Sequence, residues 1–319
     1  MRLLTLLTLG LCLASATAAQ TVSQRVAGNA GAKVQVNVQA GSQEFTRNSL
    51  GDLQLSRSAG DAVAIHGQAA TGMAEARSRV EAGAVRVEAH ASGSVIAPAP
   101  SYVDANAYGT ATAEASFQDV LSFSAPGYAP GALFWATVKI KLDGTVSGGG
   151  TMVDAAAPSF YNGVASWRSQ VQLVRPGGYS LNLDYRGSCG GVMHDQCTED
   201  PKGWFSFEVL LVNQANHVLT LATRVDASGG ALVRGAGGTV LGYGAANFMH
   251  TVGWGGVQAL FDSDGALVSD FSFEGLGSGF DFRQSAVAVP EPSSALLLLL
   301  GVAAIWAKRR AFQRQQLGA

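Results

Sequence analysis

Apolar and polar side chains alternate with a period of two along much of the chain, the pattern of half-buried strands. Val34, Val36 and Val38 alternate with polar residues, as do Val85 and Val87. Residues 134–142 read as a strand with a β-branched, alternating second half. Asp143-Gly144 follows and reads as a hairpin turn, because that dipeptide tolerates positive φ. Residues 166–174 alternate through Trp167, Ser169, Val171 and Leu173. Residues 204–212 are apolar on both faces, which predicts a central strand. Residues 218–225, 257–261 and 267–273 continue the series. Short strands at regular spacing with Gly-rich turns predict an all-β body, a β-sandwich or jelly roll. Residues 72–91 are ambiguous: their Ala, Glu and Arg content suits a helix, whereas Val85-Arg86-Val87-Glu88 suits a strand.

Composition sharpens this picture. Of 319 residues 40 are Gly, but they are neither periodic nor joined by abundant Pro, which excludes collagen. Residues 20–97 contain one aromatic, Phe45, whereas residues 98–289 contain 23. Large rings supply much of a core's buried area, so the second stretch can build a core and the first buries little alone. Pro98 and Pro100 mark the change. Charge changes there too, from seven basic and six acidic residues to nine basic and sixteen acidic. The organisation expected is an aromatic-poor segment over 20–97, free to add strands to the body, and a β-sandwich over 98–288. The net charge is -2 with no Lys/Arg block before the C-terminus, which argues against a nucleic-acid partner.

Both ends read as addresses. Arg2, an apolar run over residues 3–13 and the small residues 14–19, with Ala-x-Ala at Ala16 and Ala18, form a secretory signal peptide over 1–19. The apolar run is too short to span a bilayer easily. Residues 289–319 open with Val289-Pro290-Glu291-Pro292-Ser293. Two prolines separated by one residue keep that start extended and delay any helix past Pro292. An apolar run follows, predicting a transmembrane helix over about 294–307. Lys308, Arg309 and Arg310 close it as a basic stop expected on the cytoplasmic side. Such a helix is about 22 Å long, short against a hydrocarbon core of about 30 Å.

This tail resembles the PEP-CTERM sorting signal of Gram-negative bacteria. The resemblance rests on Pro290, Glu291 and Pro292, the short apolar run and the basic cluster, in that order, paired with a signal peptide. It implies handling by the secretion machinery, transient insertion in the inner membrane, recognition by exosortase, cleavage near the tripeptide and delivery to the cell surface or matrix. The body is similar in outline to other PEP-CTERM proteins. Residues 113–121 followed by 134–144 have that look, as does Asp262-Ser263-Asp264-Gly265 ahead of Ser278-Gly279-Phe280-Asp281-Phe282.

The interior offers few candidates for chemistry. Cys189 and Cys197 are the only cysteines after signal removal, and in an oxidising exterior they read as one disulfide. The alternative is a metal site using both thiols with His194 and Asp195. Asp195, Glu199 and Asp200 make the neighbouring loop acidic. Asp262 and Asp264 share a spacing with calcium loops but lack the remaining ligands, so a hairpin turn is the simpler reading. The five histidines are dispersed and no zinc, nucleophile-elbow, P-loop or dinucleotide motif occurs, so no cofactor and no catalytic residue is expected. Trp167, Trp254, Tyr179 and Tyr243 could stack on sugar rings if exposed. The reading is a structural or adhesive surface protein in an exopolysaccharide context. The alternatives are a carbohydrate-binding module, which needs an exposed aromatic strip, and a secreted glycan-active hydrolase, which needs two facing carboxylates.

Overall fold

The structure, a computed structural model, describes residues 20–34, 36–39, 43–59, 69–155, 159–193 and 196–287. Thirteen strands occur among them: β1 (Thr21–Val34), β2 (Val36–Gln39), β3 (Gln43–Arg47), β4 (Gly51–Ala59), β5 (Ala69–Glu81), β6 (Ala84–Ser124), β7 (Leu133–Val153), β8 (Phe160–Arg175), β9 (Gly178–Val192), β10 (Cys197–Glu199), β11 (Lys202–Val212), β12 (Ala215–Phe261) and β13 (Ser272–Gly275). No helix occurs among the described residues. The expected signal peptide, the expected sorting motif Pro290, Glu291 and Pro292, the expected helix over 294–307 and the expected basic stop Lys308, Arg309 and Arg310 fall outside them.

Two strands organise the body. β6 has 41 residues and β12 has 47, against a usual three to ten. They pair antiparallel along most of their length. Each bends midway and passes from one layer of a sandwich into the other. In the first layer, residues 84–97 of β6 lie between β5 and the second half of β12. β4 flanks β5; β7 flanks β12 and carries β10 and β11 on its other edge. In the second layer, residues 105–123 of β6 lie between β1 and the first half of β12. β2 and β3 flank β1, β8 and β9 follow β12, and β13 takes over from β1 at the end of β6.

The bend has a local cause. Register passes from Gly238↔Ala97 to Ala236↔Tyr102, so residues 98–101 of β6 face only Gly237. Pro98 and Pro100 cannot donate to a ladder. Opposite them Gly237 and Gly238 take φ of 64° and 117°, values that favour glycine. The step in aromatic content at residue 98 therefore falls on a bend within a strand. β1 and β5, from the aromatic-poor segment, pair directly with β6 on either side of it.

Glycine sets how the layers meet. In the first layer Gly72, Gly93, Gly242 and Gly150 stand side by side across β5, β6, β12 and β7. In the second, Gly109, Gly229, Gly163 and Gly191 do the same across β6, β12, β8 and β9. A Cβ on Gly163 would lie 1.9 Å from the Gly149 carbonyl oxygen, and one on Gly93 would lie 2.3 Å from that of Ala107. At Gly93, Gly109, Gly163, Gly229 and Gly242 backbone meets backbone with no side chain between, while Gly150 makes room for the Tyr161 ring. Packed sheets ordinarily stand about 10 Å apart, filled by side chains. The belt splits the core in two. A small cluster of Val95, Val233, Val240, Tyr161 and alanines lies toward the bend. The large cluster on the other side holds most of the buried aromatics, including Phe117, Phe123, Phe134, Phe248 and Trp254.

Four local expectations change. Residues 72–91 form a hairpin of β5 and β6, turning at Ala82-Gly83 with Gly83 at φ 73°. Asp143-Gly144 is not a turn, because β7 runs through it to Val153. Gly144 is needed there for space, since a Cβ would come within 2.5 Å of the Phe248 ring. β11 pairs only with β7 and is an edge strand. Its outer face carries Trp204, Leu210 and Val212 with the polar Ser206 and Glu208 between them. Leu267 makes only an isolated bridge to Phe261, and regular pairing of the last strand begins at Ser272.

Candidate functional site

Cys189 and Cys197 form a disulfide, with Cα atoms 5.8 Å apart. Cys189 lies on β9, an edge of the second layer, and Cys197 on β10, an edge of the first. The bond therefore staples the two layers together on the flank of the sandwich. Gly148, opposite Cys197, leaves room for the approach, since a Cβ there would meet the Cys189 carbonyl oxygen at 2.6 Å. With both sulfurs bonded to each other, the thiolate pair that a metal would need is spent. His194 and Asp195 lie outside the described residues. Glu199 and Asp200 are exposed, and Asp200 accepts a hydrogen bond from Lys202 Nζ at 2.9 Å.

The Asp262 turn uses its own carboxylate. Asp262 Oδ1 accepts from the backbone N–H of Asp264 and Ala266 at 3.0 and 2.9 Å, and Oδ2 accepts from the Tyr128 hydroxyl at 3.0 Å. Those bonds, the Ala266 amide first, hold the Asp262 carboxyl below the usual carboxylate range. Gly265 supplies the positive φ, 81°. This is a self-capped Asx turn.

Two segments far apart in sequence meet at Asp119. It is fully buried on β6. Its carboxylate accepts from the backbone N–H of Val120, Gly277 and Ser278 at 2.8, 3.0 and 3.1 Å, and from the Ser278 hydroxyl. A Cβ on Gly275 would strike that carboxylate at 2.2 Å, so glycine lets the chain close over it. Phe282 packs beneath, 6.4 Å from Phe117 and 6.1 Å from Trp254 between ring centroids. The Trp254 Nε1–H donates to the Phe282 carbonyl at 2.6 Å. The segment around residues 273–282 is thus clamped into the main core. His217 lies nearby, fully buried against Phe123 and Phe273. Its Nε2 accepts from the Val212 N–H at 3.1 Å, and burial pushes its pKa down to about 4.

The four aromatics proposed for sugar stacking separate. Trp254 and Trp167 are core, the latter 5.2 Å from Phe248. Tyr179 is exposed beside the β8–β9 turn. Tyr243 lies half-buried on the outer face of the first layer, in a shallow depression with Met73, His90 and Ser92. Two others are exposed on that same outer face: Trp135 at 50% and Trp204 at 37%. Parity within the strands signals both. Trp135 shares a face with Thr137, Lys139 and Lys141, and Trp204 shares one with Ser206 and Glu208. The cross-strand pairs Trp135↔Leu210 and Lys141↔Trp204 put both sets on one surface.

The outer face of the second layer differs. Arg25, Glu114, Arg224, Arg168 and Arg186 stand in one row across five strands. Most of that charge is answered locally. Arg224 pairs with Asp226 and Glu114 at 2.8 and 2.9 Å, and Arg168 grips Asp184 at 2.7 and 2.9 Å. Exposed pairs of this kind contribute little to stability.

No protein-family model, curated protein or solved structure matches this chain.

Proposed function

We propose that the chain is an exported structural or adhesive protein of the cell surface or extracellular matrix, sorted through a PEP-CTERM tail. On this reading the secretion machinery removes residues 1–19, the tail holds the chain in the inner membrane, and exosortase cuts near Pro290, Glu291 and Pro292. The observation that supports it is the Cys189–Cys197 disulfide across the two layers, a bond that persists in oxidising, extracytoplasmic surroundings. A body of strands with a stapled flank and a clamped C-terminal segment suits a load-bearing role outside the cell. The test replaces Pro290, Glu291 and Pro292 with alanine in an exosortase-positive host. Loss of tail removal is the expected result, and unchanged processing would reject the sorting reading.

A second reading, a carbohydrate-binding body, is favoured by one feature: two indole rings exposed on the same outer face, Trp135 and Trp204.

A further inference from the structure

Trp167 and Trp254 are buried in the core, and an exposed indole on a sheet face gives up the burial that usually stabilises it. Trp204 is not merely loose at the edge. It starts on β11 and reaches across β7 to β12, where a Cβ on Gly255 would lie 2.3 Å from its ring and 2.9 Å from Lys139 Cβ. Gly255 has no positive φ to explain it. Glycine at that position leaves a seat in the sheet for the ring and holds one side of it against the backbone. Lys141 Nζ stands 5.9 Å from the ring centre and is paired with Asp143 at 3.3 Å. Lys139, beside the same ring, makes no ion pair among the described residues.

Along β7 the levels of Trp135 and Trp204 are six residues apart, about 20 Å at strand rise. Thr137 and Lys139 on β7, with Ser206 and Glu208 on β11, lie between them and point the same way. The surface thus has an indole at each end and, between them, the hydroxyls of Thr137 and Ser206, the Glu208 carboxylate and the Lys139 ammonium group, which makes no ion pair among the described residues. The C–H face of a pyranose packs on an indole, hydroxyls bond its ring substituents, and an ammonium selects a carboxylate.

We propose that the β7–β11 face binds a polysaccharide carrying uronic-acid residues, with Trp204 and Trp135 as stacking platforms and Lys139 as the carboxylate contact. This deepens the carbohydrate-binding reading and rests on it. The span requires an oligomer, and a single sugar reaches only one ring.

The test uses the exported protein, titrated with oligogalacturonate and with a malto-oligosaccharide of equal length, each in short and long forms. Stronger binding of the long oligogalacturonate is expected, weakening as salt rises. Trp204→Ala and Trp135→Ala should each lower that affinity roughly tenfold or more, with the thermal midpoint unchanged within a few degrees. Lys139→Gln should erase the preference over the neutral oligomer and flatten the salt dependence. If Trp204→Ala shifts the midpoint strongly, Trp204→Phe keeps a ring in the seat and should retain part of the affinity. Binding of the neutral oligomer alone, or binding indifferent to all three substitutions, overturns this assignment while leaving a carbohydrate-binding body intact. Failure to bind either oligomer overturns both.

Discussion

Gly229 and Gly230 are adjacent on β12 and point to opposite faces, which makes them a sharp test of the glycine belt. A Cβ on Gly229 would lie 2.6 Å from the carbonyl oxygens of Ala91 and Gly242 and from Ser92 Cα, all backbone atoms. That is about 0.8 Å short of ordinary contact, so the layers would have to separate along the belt. Overpacking of a tight interior costs about 1–3 kcal/mol, and backbone cannot swing aside as a side chain can. Against this, Gly→Ala in a strand recovers about 0.5–1 kcal/mol of unfolded-chain entropy. The net expectation for Gly229→Ala is a loss of about 1–2 kcal/mol, or roughly 3–6 °C in the midpoint for a body of this size. A Cβ on Gly230 meets nothing closer than 3.7 Å, so Gly230→Ala keeps only the entropic gain and should be neutral or slightly stabilising. Urea and thermal unfolding, followed by circular dichroism, measure both. Equal effects from the two substitutions, or stabilisation by Gly229→Ala, would refute direct backbone contact between the layers.

Two further expectations follow from buried polar groups. His217 titrates near 4 when folded against an ordinary 6.5. Above 6.5 it is neutral in both states and stability is independent of it; as pH falls toward 4 only the unfolded chain takes the proton. Stability should therefore drop by roughly 3 kcal/mol over that window and level off below it, and denaturant titration of the native protein beside His217→Leu should show the variant lacking this limb. Asp119→Ala takes the acceptor from three part-buried backbone N–H groups, those of Val120, Gly277 and Ser278, and should cost about 2 kcal/mol. Hydrogen exchange should quicken first at Gly277 and Ser278, and uniform exchange across the body would deny the clamp a local role.

The strand content was legible because alternation is local: residues 134–142, 166–174 and 218–225 lie in β7, β8 and β12. What alternation could not show is where a strand stops. Glycines such as Gly242 and Gly163 resemble turn residues by composition, but they sit inside strands, chosen for close contacts with other strands, Gly230 and Asn162 for the first and Gly149 and Tyr243 for the second. Asp143-Gly144 misleads for the same reason, its glycine answering to Phe248. The aromatics were half legible. Trp254 has no alternating neighbours to reveal its face, because register shifts surround it. Trp204, by contrast, shares its parity with Ser206 and Glu208, a signal of an outward face that reading residues 204–212 as a central strand passed over. The meeting of Asp119 with Ser278 was invisible, since no local rule joins residues 159 positions apart.

The central claim concerns destination, and the most direct measurement is intact-mass and peptide mass spectrometry of the native protein recovered by cell fractionation. The account predicts a surface or extracellular molecule beginning near residue 20 and ending near Pro290, with Cys189 linked to Cys197. A cytoplasmic molecule retaining residues 1–19 and 293–319, with both thiols free, would contradict it.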